Sequence, residues 1–63
     1  MYAKYVELRD RRNVSDAQVA EATGIPRSTF SDWKQGRSQP KLEKLIKISE
    51  FLGVSINEFV KAR

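Results

Sequence analysis

Apolar residues recur along this chain at helical rather than alternating spacing. Between Tyr2 and Arg12, the side chains of Tyr2, Tyr5 and Leu8 fall three apart and line one face of a first helix. Ala17, Val19 and Ala20 give the inner side of a second helix over Asp16–Thr23. Ser15 supplies its N-cap, Gln18 completes a capping box, and Gly24 provides the left-handed stop. A third helix is predicted over Pro26–Gln35, opening on a proline that a first turn tolerates and ending at Gly36, with Phe30 and Trp33 inward. The pattern is strongest over Lys41–Leu52, where Leu42, Leu45, Ile46, Ser49 and Leu52 share a face and Gly53 closes the helix. Ser55 then caps a last helix carrying Ile56, Phe59 and Val60. No Asn-Gly or Asp-Gly pair sits between alternating runs, so hairpins are not expected. The prediction is an all-α chain of five short helices.

Sixty-three residues make one domain, expected to span 1–63. A chain this short buries only roughly 60% of its unfolded surface, so its core has little to spare. It has no cysteine and no histidine, which removes disulfides, cysteine zinc sites and His-dependent chemistry. No cofactor and no metal are expected. A content of 40% hydrophobic and 32% charged residues is that of a globular domain rather than a disordered one. No apolar run reaches the length of a membrane span or a signal-peptide core, so the expected setting is cytoplasmic, with no membrane partner.

Charge changes this picture by its position. The formal net charge is +4. Residues 34–47 hold Lys34, Arg37, Lys41, Lys44 and Lys47 against Glu43 alone, an excess that equals that of the whole chain. Such a cluster is the solvated face of a helix as readily as a stripe for phosphates.

The second and third segments together suggest a function. Two short helices joined by a tight turn at Gly24, with small Ala20 at the crossing and Phe30 and Trp33 filling the angle, are the physical recipe for a helix-turn-helix. Residues 16–36, DAQVAEATGIPRSTFSDWKQG, resemble the helix-turn-helix of the phage repressor, Cro and XRE-type transcriptional regulators. The continuation, RSQPKLEKLIKISEFLGVSINEFV, resembles the fourth and fifth helices of that family. The resemblance implies a compact five-helix fold of the lambda-repressor type.

With Phe30 and Trp33 inward, helical geometry turns Ser28, Ser31, Asp32 and Gln35 toward solvent, with Arg27 on the flank. On residues alone, that row is an ordinary solvated face. The resemblance implies a recognition helix in the major groove, its base-reading positions matching Arg27, Ser28 and Asp32, with Ser31 alongside. Arg27 has the fork for guanine O6 and N7, and Asp32 can accept from cytosine N4. Phosphate contacts are expected from the amino end of the second helix at Ser15, Asp16 and Ala17, through backbone N–H groups. Family positions that touch phosphate also match Arg37, Ser38 and Lys41, with Lys44 one turn later. Lys41 stands where relatives often carry a serine N-cap, and a lysine there opposes the helix dipole.

Three departures from the family pattern carry expectations of their own. Asp16 replaces an amide residue used against phosphate, so its side chain is left out of the contacts. Pro26 replaces the serine cap of the recognition helix. Arg9 and Lys34 stand where relatives pair an arginine with a glutamate, so that pair is expected to be lost and both side chains to splay toward water or DNA.

The resemblance further implies a two-fold dimer on a pseudo-palindromic operator, with half-sites about 34 Å apart. Val54 and Ile56 are the expected patch for a weak homodimer strengthened on DNA; the other reading places every apolar residue of this region inside the monomer. The function expected is sequence-specific binding of double-stranded DNA by a Cro-like repressor occluding a promoter, associated with the nucleoid through its DNA. The alternative is a protein-partner module, such as the DNA-binding antitoxin of a toxin–antitoxin pair. No base-and-nucleophile pair can be assembled from the serines and carboxylates, so an enzyme is not expected.

Overall fold

The computed structural model describes residues 2–60, apart from the side chain of Val60, so the inward position expected there lies outside the described residues. Within them are five helices: α1 (Tyr2–Arg11), α2 (Asp16–Thr23), α3 (Arg27–Lys34), α4 (Leu42–Leu52) and α5 (Asn57–Val60). α2 packs on both α3 and α4, and α1 packs on α5.

Local signals set most boundaries. The Ser15 hydroxyl accepts from the Gln18 amide at 3.2 Å, and Gln18 Oε1 accepts from the Ser15 amide at 2.8 Å, closing the capping box at the start of α2. Gly24 ends that helix at φ 75°, its N–H bonded to the Ala20 carbonyl. Its left-handed backbone makes the turn to α3 short.

α3 begins at Arg27, one residue later than expected. Pro26 is its N-cap at φ −59° and ψ 143°, outside the first turn, and offers no side-chain cap. α5 likewise begins at Asn57, whose N–H bonds to Ser55 Oγ at 3.2 Å. Ile56 therefore precedes the last helix instead of riding on it.

The core joins Tyr5 and Leu8 of α1, Val19 and Ala20 of α2, Ile25 of the turn, Phe30 and Trp33 of α3, Leu45, Ile48 and Leu52 of α4, and Phe59 of α5. Its centre is aromatic. Trp33 stacks on Tyr5 at 5.0 Å between ring centroids, meets Tyr2 edge-on at 5.4 Å, and lies 6.5 Å from Phe59. Such pairs add about 0.5–1.5 kcal/mol each beyond their burial, a sizeable help to a small core. Trp33 thereby fixes the C-terminal half of α3 against α1 and α5.

One expected face is rotated. Leu42 is 58% exposed and Ile46 38%, while Ile48 is buried and completes the inner stripe with Leu45, Ser49 and Leu52. α4 carries enough apolar residues for two overlapping faces, and its packing on α2 selects the one centred on Leu45, Ile48 and Leu52. Buried Ser49 donates to the Ile46 carbonyl at 2.8 Å, so its hydroxyl is satisfied inside the helix. Ala17, expected inward on α2, is only half-buried.

Candidate nucleic-acid interface

Packing of Phe30 and Trp33 leaves the opposite side of α3 to solvent. Arg27, Ser28 and Ser31 are exposed there, and Asp32 is half-buried at the end of the row. Asp32 is not free: its Oδ1 accepts from Arg37 Nε at 3.1 Å. Arg37 and Ser38 are exposed in the loop that follows, and buried Pro40 anchors that loop before α4.

α4 starts on Lys41, whose backbone is extended and whose side chain makes no capping bond. The helix thus begins with a cation at the positive end of its dipole and no side-chain cap for its first amides. Lys41 is exposed and Lys44 half-buried.

Charge pairing divides the surface. Lys4 lies near Glu7 and Glu58, Arg9 near Asp10 and Asp16, and Arg11 near Glu7. Among the described residues, Arg12, Arg27, Lys34, Lys41, Lys44 and Lys47 have no carboxylate within salt-bridge distance, while the cations of α1, Lys4, Arg9 and Arg11, do. Arg12 instead donates to the Leu52 carbonyl at 3.1 Å. Arg12 aside, the cations without a carboxylate partner therefore lie on α3, α4 and their connection, and all of these but Arg27 fall in the stretch 34–47 where the sequence concentrates positive charge.

The start of α2 differs from expectation in two ways. The Ser15 N–H is consumed by Gln18, so it is not available to a ligand, whereas no acceptor engages the Asp16 and Ala17 amides among the described residues. The Asp16 carboxylate turns back onto α1, accepting from Tyr2 Oη at 3.0 Å, Tyr5 Oη at 2.7 Å and Arg9 Nη1 at 2.7 Å. Arg9 consequently does not splay outward, as the loss of its usual partner suggested. Asp16 replaces that partner and holds the guanidinium at 19% side-chain exposure. Lys34, left alone, is exposed.

This cluster shifts the titration of its members. Burial works against the charged form of Asp16, but hydrogen bonds from Tyr5, Arg9 and Tyr2 outweigh it and hold its carboxyl below the usual value. Burial and the bond to Asp16 push both tyrosine hydroxyls up, Tyr5 the further. Partial burial alone lowers the Arg9 value, yet the bonds to Asp16 and Asp10 raise it on balance. The sequence held a signal for this network: Tyr2, Tyr5 and Arg9 recur at i, i+3 and i+7, so the arginine shares the inward face of α1.

Val54 and Ile56 are half-buried and pack against the core. Between α2 and the start of α3 lies an open groove lined by Ala17, Gln18, Glu21, Ile25 and Arg27 among others. No helix among the described residues is long and apolar enough to cross a membrane.

The pattern of the helix-turn-helix family matches residues 7–59, from within α1 into α5. The chain belongs to this family, in its phage-repressor and XRE-type branch. It is 34% identical over 58 residues to the cryptic phage CTXphi transcriptional repressor RstR of Vibrio cholerae, covering 92% of this chain and 52% of that protein. It is 35% identical over 57 residues to the HTH-type transcriptional activator BcrR of Enterococcus faecalis, covering 90% of this chain and 28% of that one. An HTH-type transcriptional regulator of Haemophilus influenzae is 40% identical over 49 residues, 78% of this chain and 20% of its own length. The chain thus spans about half or less of the length of these relatives. No solved structure matches it significantly.

Proposed function

We propose that this chain is a sequence-specific, double-stranded DNA-binding module of a transcriptional regulator. α3 enters the major groove, where Arg27, Ser28 and Ser31 meet base edges, Arg27 with the geometry to fork onto guanine. Arg37, Ser38, Lys41 and Lys44, with the Asp16 and Ala17 amides at the start of α2, set the register on phosphates. The observation that carries this reading is the coincidence of two independent features: the outward face of α3 in a helix-turn-helix, and the cations without a carboxylate partner among the described residues on α3 and from Lys41 along α4.

The regulation proposed is repression by occupying a promoter, which asks nothing of the protein beyond binding. A weak dimer formed through Val54 and Ile56 would present two α3 helices to a pseudo-palindromic operator. Selection from a random duplex DNA pool tests both parts. Enrichment of a pseudo-palindrome supports specific dimeric readout, and enrichment of a single half-site supports readout by a monomer. Binding without enrichment that vanishes in moderate salt is phosphate attraction alone and overturns the proposal.

A further inference from the structure

We propose that Asp32 is a positioning residue for Arg37 rather than a reader of bases. The inference rests on the DNA-binding reading and reassigns one residue within it.

The backbone brings the two together. Gly36, at φ 76°, follows the last turn of α3. Its N–H bonds to the Trp33 carbonyl at 3.1 Å, and the Arg37 N–H bonds to the Asp32 carbonyl at 2.9 Å. That pair of bonds is a Schellman motif, which folds the residue after the glycine back over the last turn of the helix. The side chains meeting across such a turn are commonly apolar. Here they are Asp32 and Arg37, bridged at 3.1 Å with 41% and 60% of their side-chain surface exposed. An ion pair this exposed contributes little to stability, so closing the turn does not account for it.

What the bridge does fix is a direction. Arg37 is bound through Nε alone, and its two terminal nitrogens have no partner among the described residues. A guanidinium held along its Nε edge keeps a planar end-on pair of donors for a second acceptor, and a phosphate is the acceptor that geometry suits. The bridge also places the neutralising cation beside Asp32, so the outer face of α3 does not present a bare carboxylate to DNA.

The test uses the wild-type chain, D32A, D32N, R37A and the D32A/R37A double variant on a fluorescent duplex that the wild type has enriched from a random pool. D32A is expected to weaken binding about three- to ten-fold and lower the salt slope by about one, as R37A does, with no further loss in the double variant. D32N keeps an acceptor for Nε and should recover most of that loss. Base preference should stay unchanged in every variant. A D32N preference that moves at one operator position from cytosine toward adenine overturns the proposal in favour of base reading. Equal or tighter binding of D32A to all duplexes overturns it by making Asp32 merely repulsive. A wild type that enriches no sequence removes the DNA reading and this proposal with it. The Arg37 Nε–H resonance of DNA-free protein separates those failures: it should be distinct in the wild type and lost in D32A, and an identical signal in both removes the bridge itself.

Discussion

Asp16 Oδ1 lies 2.7 Å from Arg9 Nη1 and 2.7 Å from the Tyr5 hydroxyl, so one carboxylate oxygen joins the first turn of α2 to the inner face of α1. Its second oxygen takes the Tyr2 hydroxyl. The negative charge also sits at the favourable end of the α2 dipole. Replacing Asp16 by asparagine keeps an acceptor for the tyrosines but leaves Arg9 without its charged partner. The expected loss is about 1–2 kcal/mol, a large share of what a chain of this length can hold, and urea unfolding of D16N against wild type measures it. Unchanged stability would mean that the network only decorates the α1–α2 contact.

The same network sets a pH dependence with a definite sign. Asp16 titrates below its ordinary value of 3.8 in the folded protein, so the unfolded chain takes up its proton first as acid is added. Its contribution is complete above pH 3.8 and is lost as the pH falls through the lower folded value. Melting temperatures of wild type and D16N should therefore differ at pH 6 and converge on acidification. Tyr5 behaves in the opposite sense: its value lies above 10.0 when folded, so what it contributes is complete below pH 10 and drains away above it. A Y5F variant should show a flatter alkaline limb.

How much of this was legible in the sequence follows the range of each interaction. The Ser15–Gln18 box and the Gly24 stop depend on residues a few positions apart, and both form as read. The rotation of α4 was not legible, because Leu42 and Ile48 each complete an acceptable helical stripe and only the position of α2 chooses between them. The inward pairing of Arg9 was not legible for a related reason. Its expected partner position holds Lys34, and the replacement, Asp16, comes from a different helix whose approach the sequence does not state. The Asp32–Arg37 bridge was readable in principle, since Gly36 announces the turn that brings them together. The row on α3 was legible as a polar face, and its contact with bases was legible only through the family resemblance.

Trp33 is the residue the core can least lose. It touches rings from α1, α3 and α5, and truncation to alanine costs about 3–5 kcal/mol at a buried aromatic site. A core this small rarely supplies more than that margin. W33A should lack the cooperative thermal transition of the wild type by circular dichroism, while W33F, which keeps a ring, should retain one at lower temperature. A cooperative, wild-type-like transition in W33A would contradict the central place given to this cluster.

Arg27 tests the base-reading face. It is exposed at the first position of α3 and, among the described residues, no carboxylate holds it, so its fork is available. R27A should lose about 1–3 kcal/mol on the selected operator and relax preference at one base pair, leaving thermal stability unchanged. A repeat selection with the variant reads this directly. Preference retained at every position would assign Arg27 to the backbone.

Lys41 separates stability from function in a single substitution. As N-cap of α4 it makes no side-chain capping bond, and its charge opposes the helix dipole. Serine at this position can accept from an amide of the first turn, so K41S should raise stability by about 0.5–1 kcal/mol. If Lys41 serves a phosphate, the same change should weaken binding to all duplexes alike and reduce the salt slope by about one. The two effects have opposite signs, as expected where a residue is retained at a cost to the fold. Thermal unfolding and salt-dependent binding of one purified variant read both. A stabilised K41S that binds DNA as tightly as wild type would leave the lysine without a role at the interface, and a loss confined to particular sequences would make it a base contact instead.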